Sequence, residues 1–344
     1  MAVMGSEVPT GPTSVSAPLP WGRRHPIEKL VLQRVALGIV TLFVVSVVVF
    51  LATEVLPGNA AYAVLGHSAT PAHIHAVEAQ LHLNRSIFDQ YWSWISGILT
   101  GHPGTSLANQ LPVWGQVWPR LVNSAILVAI SGAIGTVLGV VIGALAALVK
   151  DSVFDHTSAV VNLAVTSLPE FVVAIALIFL FSTVVFHWLP AVSLLPPGTY
   201  AWSEPKALIL PSVTLIIMIV PYIQRMTRAA MVEALESDYV EMARLEGLKA
   251  SRVTFIHALP NAIAPTIQVI GLNALYLAGG IVIVEQVFNF PGIGQGLVSA
   301  VENRDIPTIQ LIVVILAAFY VFVNILTDVI ALLASPRRLY GRSS

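Results

Sequence analysis

Residues 238–260 read DYVEMARLEGLKASRVTFIHALP, and this stretch decides how the rest of the chain is arranged. It gathers Asp238, Glu241, Arg244, Glu246, Lys249 and Arg252 between two long apolar runs, in a chain that is only 10% charged. Such polarity is costly in lipid, so the stretch belongs outside the membrane. Asp238 followed three residues later by Glu241 is a capping-box-like start that satisfies orphan N–H groups. Tyr239, Met242, Leu245 and Leu248 recur at helical spacing and predict an apolar stripe on one face. Gly247 permits the positive φ that ends one helix and lets another begin. Pro260 is expected to end or kink whatever leads into the next span.

Outward from this stretch the chain is apolar. Its 344 residues are 56% hydrophobic with a mean hydropathy of +0.82, whereas soluble domains carry about a quarter of their residues as charges. The expectation is an all-α membrane protein with six transmembrane helices. The spans are Val35–Thr53, Leu121–Val149, a third from near Thr157 past Phe181, Ala207–Gln224, Ala262–Glu285 and Ile306–Ala334. Each is long enough to cross at about 1.5 Å per residue. With no cysteine in the chain, neither disulfides nor thiolate metal sites arise.

Four segments follow. Residues 1–30, rich in Pro, Ser, Gly and Thr, read as a disordered tail without the apolar core of a signal peptide. Residues 31–120 hold the first span and a polar, partly helical segment, in which Thr70-Pro71 marks a helix start. Residues 121–334 form the membrane core with the 238–260 loop, and 335–344 a second tail. Six crossings put both ends on one side. Of the lysines and arginines, thirteen fall on that side with the loop and four on the other, Arg85, Arg120, Lys206 and Arg304. The positive-inside rule therefore places the termini and the loop in the cytoplasm.

The loop resembles the EAA loop of permease subunits of ATP-binding-cassette importers. Glu241, Met242 and Ala243 stand for the Glu-Ala-Ala triplet, Gly247 follows Ala243 by four, and after nine residues come His257, Ala258, Leu259 and Pro260. Met242 departs from an Ala and His257 from an Ile. Three further stretches, Leu81–Leu107, Val284–Gln310 and SPRRLYG at Ser335–Gly341, resemble the B-type permeases of dipeptide, oligopeptide and nickel importers. Departures there are His82 and His102-Pro103.

The resemblance implies a type I importer permease fold of the MetI-like kind in a bacterial inner membrane. The implied partners are a second, C-type permease subunit, two ABC ATPase subunits and an extracytoplasmic solute-binding protein, with the lipid bilayer around them and no nucleic acid. It implies ATPase-coupling residues at Asp238, Tyr239, Glu241, Ala243, Gly247, Leu248, Leu259 and Pro260. The cargo implied is a di- or oligopeptide, with nickel, glutathione or another small solute as alternatives. No Gly-Lys dipeptide occurs in the chain, hence no Walker A loop. The chain is thus expected to be no enzyme and to bind no cofactor, ATP and Mg being used by the partner subunits. A secondary transporter driven by an ion gradient is the rival of another class. Against it, no pair of broken half-helices recurs in matching positions of two halves.

Glu170, Glu285 and Asn289 are candidates for the translocation pathway. Glu170 reads as an acid inside an apolar helix, either meeting a peptide amino terminus or pairing across the bundle. Glu285 either lines the path or holds the Pro291-Gly292 turn through backbone N–H groups, and the second role is favoured. Phe288, Asn289, Phe290, Trp92, Trp94, Trp114 and Trp118 read as interface anchors. Asp328 is expected to pair with Arg337 or Arg338. His67, His73, His75, His82 and His102 raise a nickel reading. His73-x-His75 on a helix would point its rings to different faces, so these are taken as solvated and no metal site is expected.

Overall fold

The computed structural model describes residues 26–55, 86–196 and 199–334. Among them regular structure is helical apart from one isolated β-bridge between Thr105 and Pro112. The helices are α1 (Pro26–Val55), α2 (Ile87–Leu99), α3 (Val113–Leu148), α4 (Val153–Thr166), α5 (Glu170–Ile178), α6 (Pro205–Leu235), α7 (Asp238–Leu245), α8 (Ala250–Arg252), α9 (Leu259–Val287), α10 (Ile293–Glu302) and α11 (Ile306–Ala334). Five of these are long and apolar enough to cross a membrane, and the α4–α5 pair makes a sixth span if its two bent halves are counted together. The all-α, multi-span class expected from composition is the class found.

α6 is the central element, packed on α3, α9, α5 and α4, while α11 joins α9 to α1. The tightest seam is α3 against α6. Gly135, Gly139 and Gly143 recur every four residues on α3 and so share one face. A Cβ at Gly139 would lie 2.7 Å from Ile223 Cβ, and one at Gly143 only 2.6 Å from the carbonyl oxygen of Gln224. Glycine is what lets these backbones approach. Small residues serve this purpose in membrane bundles, where lipid tails remove the hydrophobic drive between helices. Leu127, Leu215, Ile219, Leu277, Ile281, Phe288 and Phe290 form one buried cluster, and Met231, Ala234, Val240, Ala243, Val253 and Ala258 another at the loop end.

Several expectations change. The third span is not one helix: α4 and α5 meet at about 100°. Pro169 at the start of α5 supplies no N–H and holds the preceding residue away from helical dihedrals. α3 begins at Val113, so the boundary placed between residues 120 and 121 falls inside a continuous helix. α6 runs to Leu235, well past Gln224. α1 starts at Pro26, inside the segment expected to be a disordered tail. Phe288 and Phe290 are fully buried core residues rather than interface anchors, although Trp92, Trp114 and Trp118 are exposed. Asp328 pairs with Arg34 of α1 at 2.8 Å. Arg337, Arg338, the 335–344 tail, His67, His73, His75, His82 and Thr70-Pro71 lie outside the described residues.

Candidate functional site

The loop is a helix, a tight turn and a second helical segment, each set by local chemistry. α7 begins after Ser237, which has the extended backbone of an N-cap. The cap is therefore Ser237 and not Asp238, and the Ser237 hydroxyl donates back to the carbonyl of Ala234 at 2.5 Å rather than accepting from the new helix. Asp238 and Glu241 sit in the first turn, where negative charge suits the helix dipole. α7 ends in a Schellman turn: Leu248 N donates to Ala243 O at 3.3 Å, Gly247 N to Arg244 O at 3.0 Å, and Gly247 has φ of 78°. Only glycine takes that backbone at no steric cost.

α8 then passes through a π turn, Val253–Ala258, into α9. Pro260 falls at the start of α9, just after the π turn ends at Ala258, where a missing N–H costs least. The wide turn before it accommodates the change in register.

These turns sort the loop residues by exposure. Val240, Ala243, Val253 and Ala258 are buried against α6, with Leu248 and Leu259 half-buried beside them. On the outer face Met242 is 59% and Leu245 76% exposed, with Tyr239, Phe255 and Ile256 also exposed. The expected stripe exists, but its outer members point away from the protein and Leu248 belongs to the inner side. Asp238, Glu241, Gly247 and Pro260 are exposed as well. Asn261 Nδ2 donates to the Tyr239 hydroxyl at 3.1 Å, tying α7 to the start of α9. Lys150 and Glu236 pair nearby at 2.6 Å, and that hydrogen bond raises the lysine pKa.

At the opposite end the polar groups turn inward. Glu285 is wholly buried. One carboxylate oxygen accepts from the N–H groups of Gly294 and Gln295 at 2.8 and 3.0 Å, the other from the Ser124 hydroxyl at 2.5 Å. Ser124 in turn accepts from Ile293 N at 2.7 Å. The carboxylate thus caps α10 and fastens it to α3. Arg120 donates to Gln295, and Asn123 bridges Pro291 O and Ala201 N at 3.0 and 2.8 Å. Asn289 is an exposed turn residue with φ of 47°, accepting from Gln295 Nε2 at 3.0 Å. Asp305 accepts from Ser106, Leu107 N and Thr308 at 2.5, 2.9 and 2.7 Å. Sequence reasoning missed Asn123, Ser124, Ser106 and Asp305. Only the pairing of a buried acid with small hydroxyl residues far along the chain could have signalled them.

Glu170 opens α5 rather than lying inside a long helix. It accepts from the Tyr276 hydroxyl, and its carboxylate rests where a side chain on Gly280 would otherwise sit. No group of His, Asp and Glu that could hold a metal occurs among the described residues.

Comparison with known proteins bears on this geometry. The model for "Binding-protein-dependent transport system inner membrane component" matches residues 139–340, and that of the same family's N-terminal region matches 27–131. The chain belongs to this family. It is a permease component of an ABC importer, a multi-pass inner-membrane protein. Similar relatives include the glutathione transport system permease protein GsiC of Escherichia coli K12, 34% identical over 90% of this chain and 98% of the relative. The probable peptide ABC transporter permease protein y4tP of Sinorhizobium fredii is 34% identical over 90% of this chain and 99% of its own length. The likeness to dipeptide-type permeases read from the sequence thus agrees with relatives that span the whole fold.

Proposed function

We propose that this permease moves peptide-like solutes inward by alternating access, and that residues 238–260 couple it to separate ATPase subunits. The observation that carries this is the exposed face of Tyr239, Met242, Leu245, Phe255 and Ile256, anchored from beneath by buried Val240, Ala243 and Val253. A short amphipathic helix presenting large apolar groups is the form that helix-in-groove recognition takes. In this reading the loop and both termini are cytoplasmic, which the lysine and arginine distribution supports. Two ATPases hydrolyse ATP with Mg. A C-type permease completes the membrane path and an extracytoplasmic binding protein delivers the solute.

Peptide-like cargo is supported by the names of the two relatives, glutathione being itself a modified tripeptide. Movement follows only if ATP-bound and free ATPases differ in how they hold the loop. α7 is joined through the Schellman turn and the π turn to α9, so a displacement of the loop reaches the bundle through α9.

The test is Gly247→Val in the assembled transporter. A β-branched residue cannot hold the positive φ cheaply, so uptake and solute-stimulated ATP hydrolysis should both fall about tenfold or more while the protein still folds, an uncoupling of roughly 1.4 kcal/mol or more. Unchanged uptake with unchanged stimulation in a folded variant would overturn the coupling role.

A further inference from the structure

A groove runs between α6 and α9, lined by Tyr222, Arg225, Met226, Leu272, Asn273 and Tyr276. It occupies the middle and loop-side part of both helices. Its polar members form a chain of contacts. Arg225 lies over the Tyr222 ring at 6.0 Å, the Tyr222 and Tyr276 ring centres are 6.3 Å apart, and Tyr276 donates to Glu170 behind the wall.

Two features of this chain are unexplained by the fold. Arg34 on α1 and Arg228, three residues further along α6 itself, are satisfied by carboxylates at 2.8 and 2.5 Å, whereas exposed Arg225 has the face of Tyr222 and no ion pair among the described residues. An exposed guanidinium at the loop-side part of α6 with no acid paired to it keeps its planar fork of donors free for an anionic group. The second feature is Glu170, nine-tenths buried, whose other carboxylate oxygen has no hydrogen-bond partner. Such a group needs a reason to stay. Its hydrogen bond fixes the Tyr276 ring at the groove wall.

We propose that Arg225, Tyr222 and Tyr276 form a recognition site for the carboxylate of the transported peptide-like solute, with Glu170 as the positioning residue that aims Tyr276. This rests on the reading of peptide-like cargo above. Arg225 offers a carboxylate a bidentate fork. The two tyrosines and Leu272 offer flat apolar surface to side chains, and the groove's place near the loop makes it a station on the inward-facing side of the path. The Arg225 guanidinium and the Tyr276 ring stand at opposite ends of two spacings of about 6 Å each, with Glu170 behind that ring. At most that is the reach of three to four extended residues, at roughly 3.3–3.6 Å apiece. A lipid phosphate would use the cation alone. A peptide-like solute uses the cation for its carboxylate and the two rings for its side chains.

The experiment compares uptake of one tripeptide, with a free or an amidated carboxyl terminus, by the complete transporter in proteoliposomes. Comparing variants at fixed binding protein isolates this chain's share of the discrimination. Arg225→Gln should cost about tenfold in KM for the free acid and little for the amide, with Arg225→Lys recovering part of the loss. Tyr276→Phe and Glu170→Gln should raise KM for the free acid several-fold at unchanged maximal rate, whereas a merely structural role would lower the amount of folded protein and leave KM alone. Equal losses for acid and amide would overturn the assignment. So would a defect present only in vesicles containing anionic phospholipid, which would make Arg225 a headgroup contact. If the wild-type complex transports neither tripeptide while ATP hydrolysis still responds to Gly247→Val, the peptide reading falls and the coupling loop stands.

Discussion

The two ends of the bundle handle their uncommitted groups in opposite ways. At the end bearing α10, acids and amides are drawn inside and saturated: Glu285 takes three donors and Asp305 three more. At the loop end the charges of residues 238–252 stay outside with the water, Asp155 with its Arg228 partner being the buried exception, and large apolar side chains are left outside with them. A buried, saturated carboxylate holds neighbouring helices in one arrangement, because any shift strands donors in a dry site. An exposed Leu or Met gains nothing from its own chain and becomes favourable only when covered. One end therefore reads as a fixed clasp and the other as a surface awaiting a partner.

Mutations can break or sharpen this contrast, and the largest effect is expected between the ends, in the seam that joins them. Gly143→Val forces a side chain into the backbone of α6 and should cost about 3 kcal/mol or more. Loss of detergent-stable protein would report it. At the clasp, Glu285→Ala leaves two buried N–H groups and a hydroxyl without their acceptor. About 3 kcal/mol is expected, visible as a lowered unfolding midpoint. Asp305→Ala should cost less, about 2 kcal/mol, since α11 and the 104–112 turn retain other contacts. A clasp variant with unchanged stability would break the comparison at that end. The smallest stability effect belongs to the loop. Met242→Ser with Leu245→Ser should stay within about 0.5 kcal/mol of the parent, yet abolish solute-stimulated ATP hydrolysis in the assembled transporter.

How far the sequence disclosed this depends on how local the deciding interaction is. Span count, helix class and the loop's helix-turn-helix form were legible because apolar run length and the Gly247 turn are properties of adjacent residues. The cap was misplaced by one residue because Asp238 and Ser237 are both competent caps, and only the backbone shows which is extended. The bend at Pro169 was hidden because the apolar runs on either side merge into one span by composition. Glu285 was recognised as a turn-holding acid, but its partner Ser124 lies 161 residues away. Nothing in either neighbourhood announces the pair. The Gly135–Gly139–Gly143 seam shows a period of four, and it passed unremarked in a long uncharged run in which apolar residues fill every face.

The most direct measurement of the docking account places a photocrosslinker at Leu245 and, as its counterpart, at exposed Asn303 on the opposite end, in the intact transporter. The account predicts that the ATPase subunit is captured from Leu245 and not from Asn303. Capture from neither position in an assembled, ATP-hydrolysing complex, or equal capture from both, would contradict the assignment of this loop as the ATPase-coupling surface.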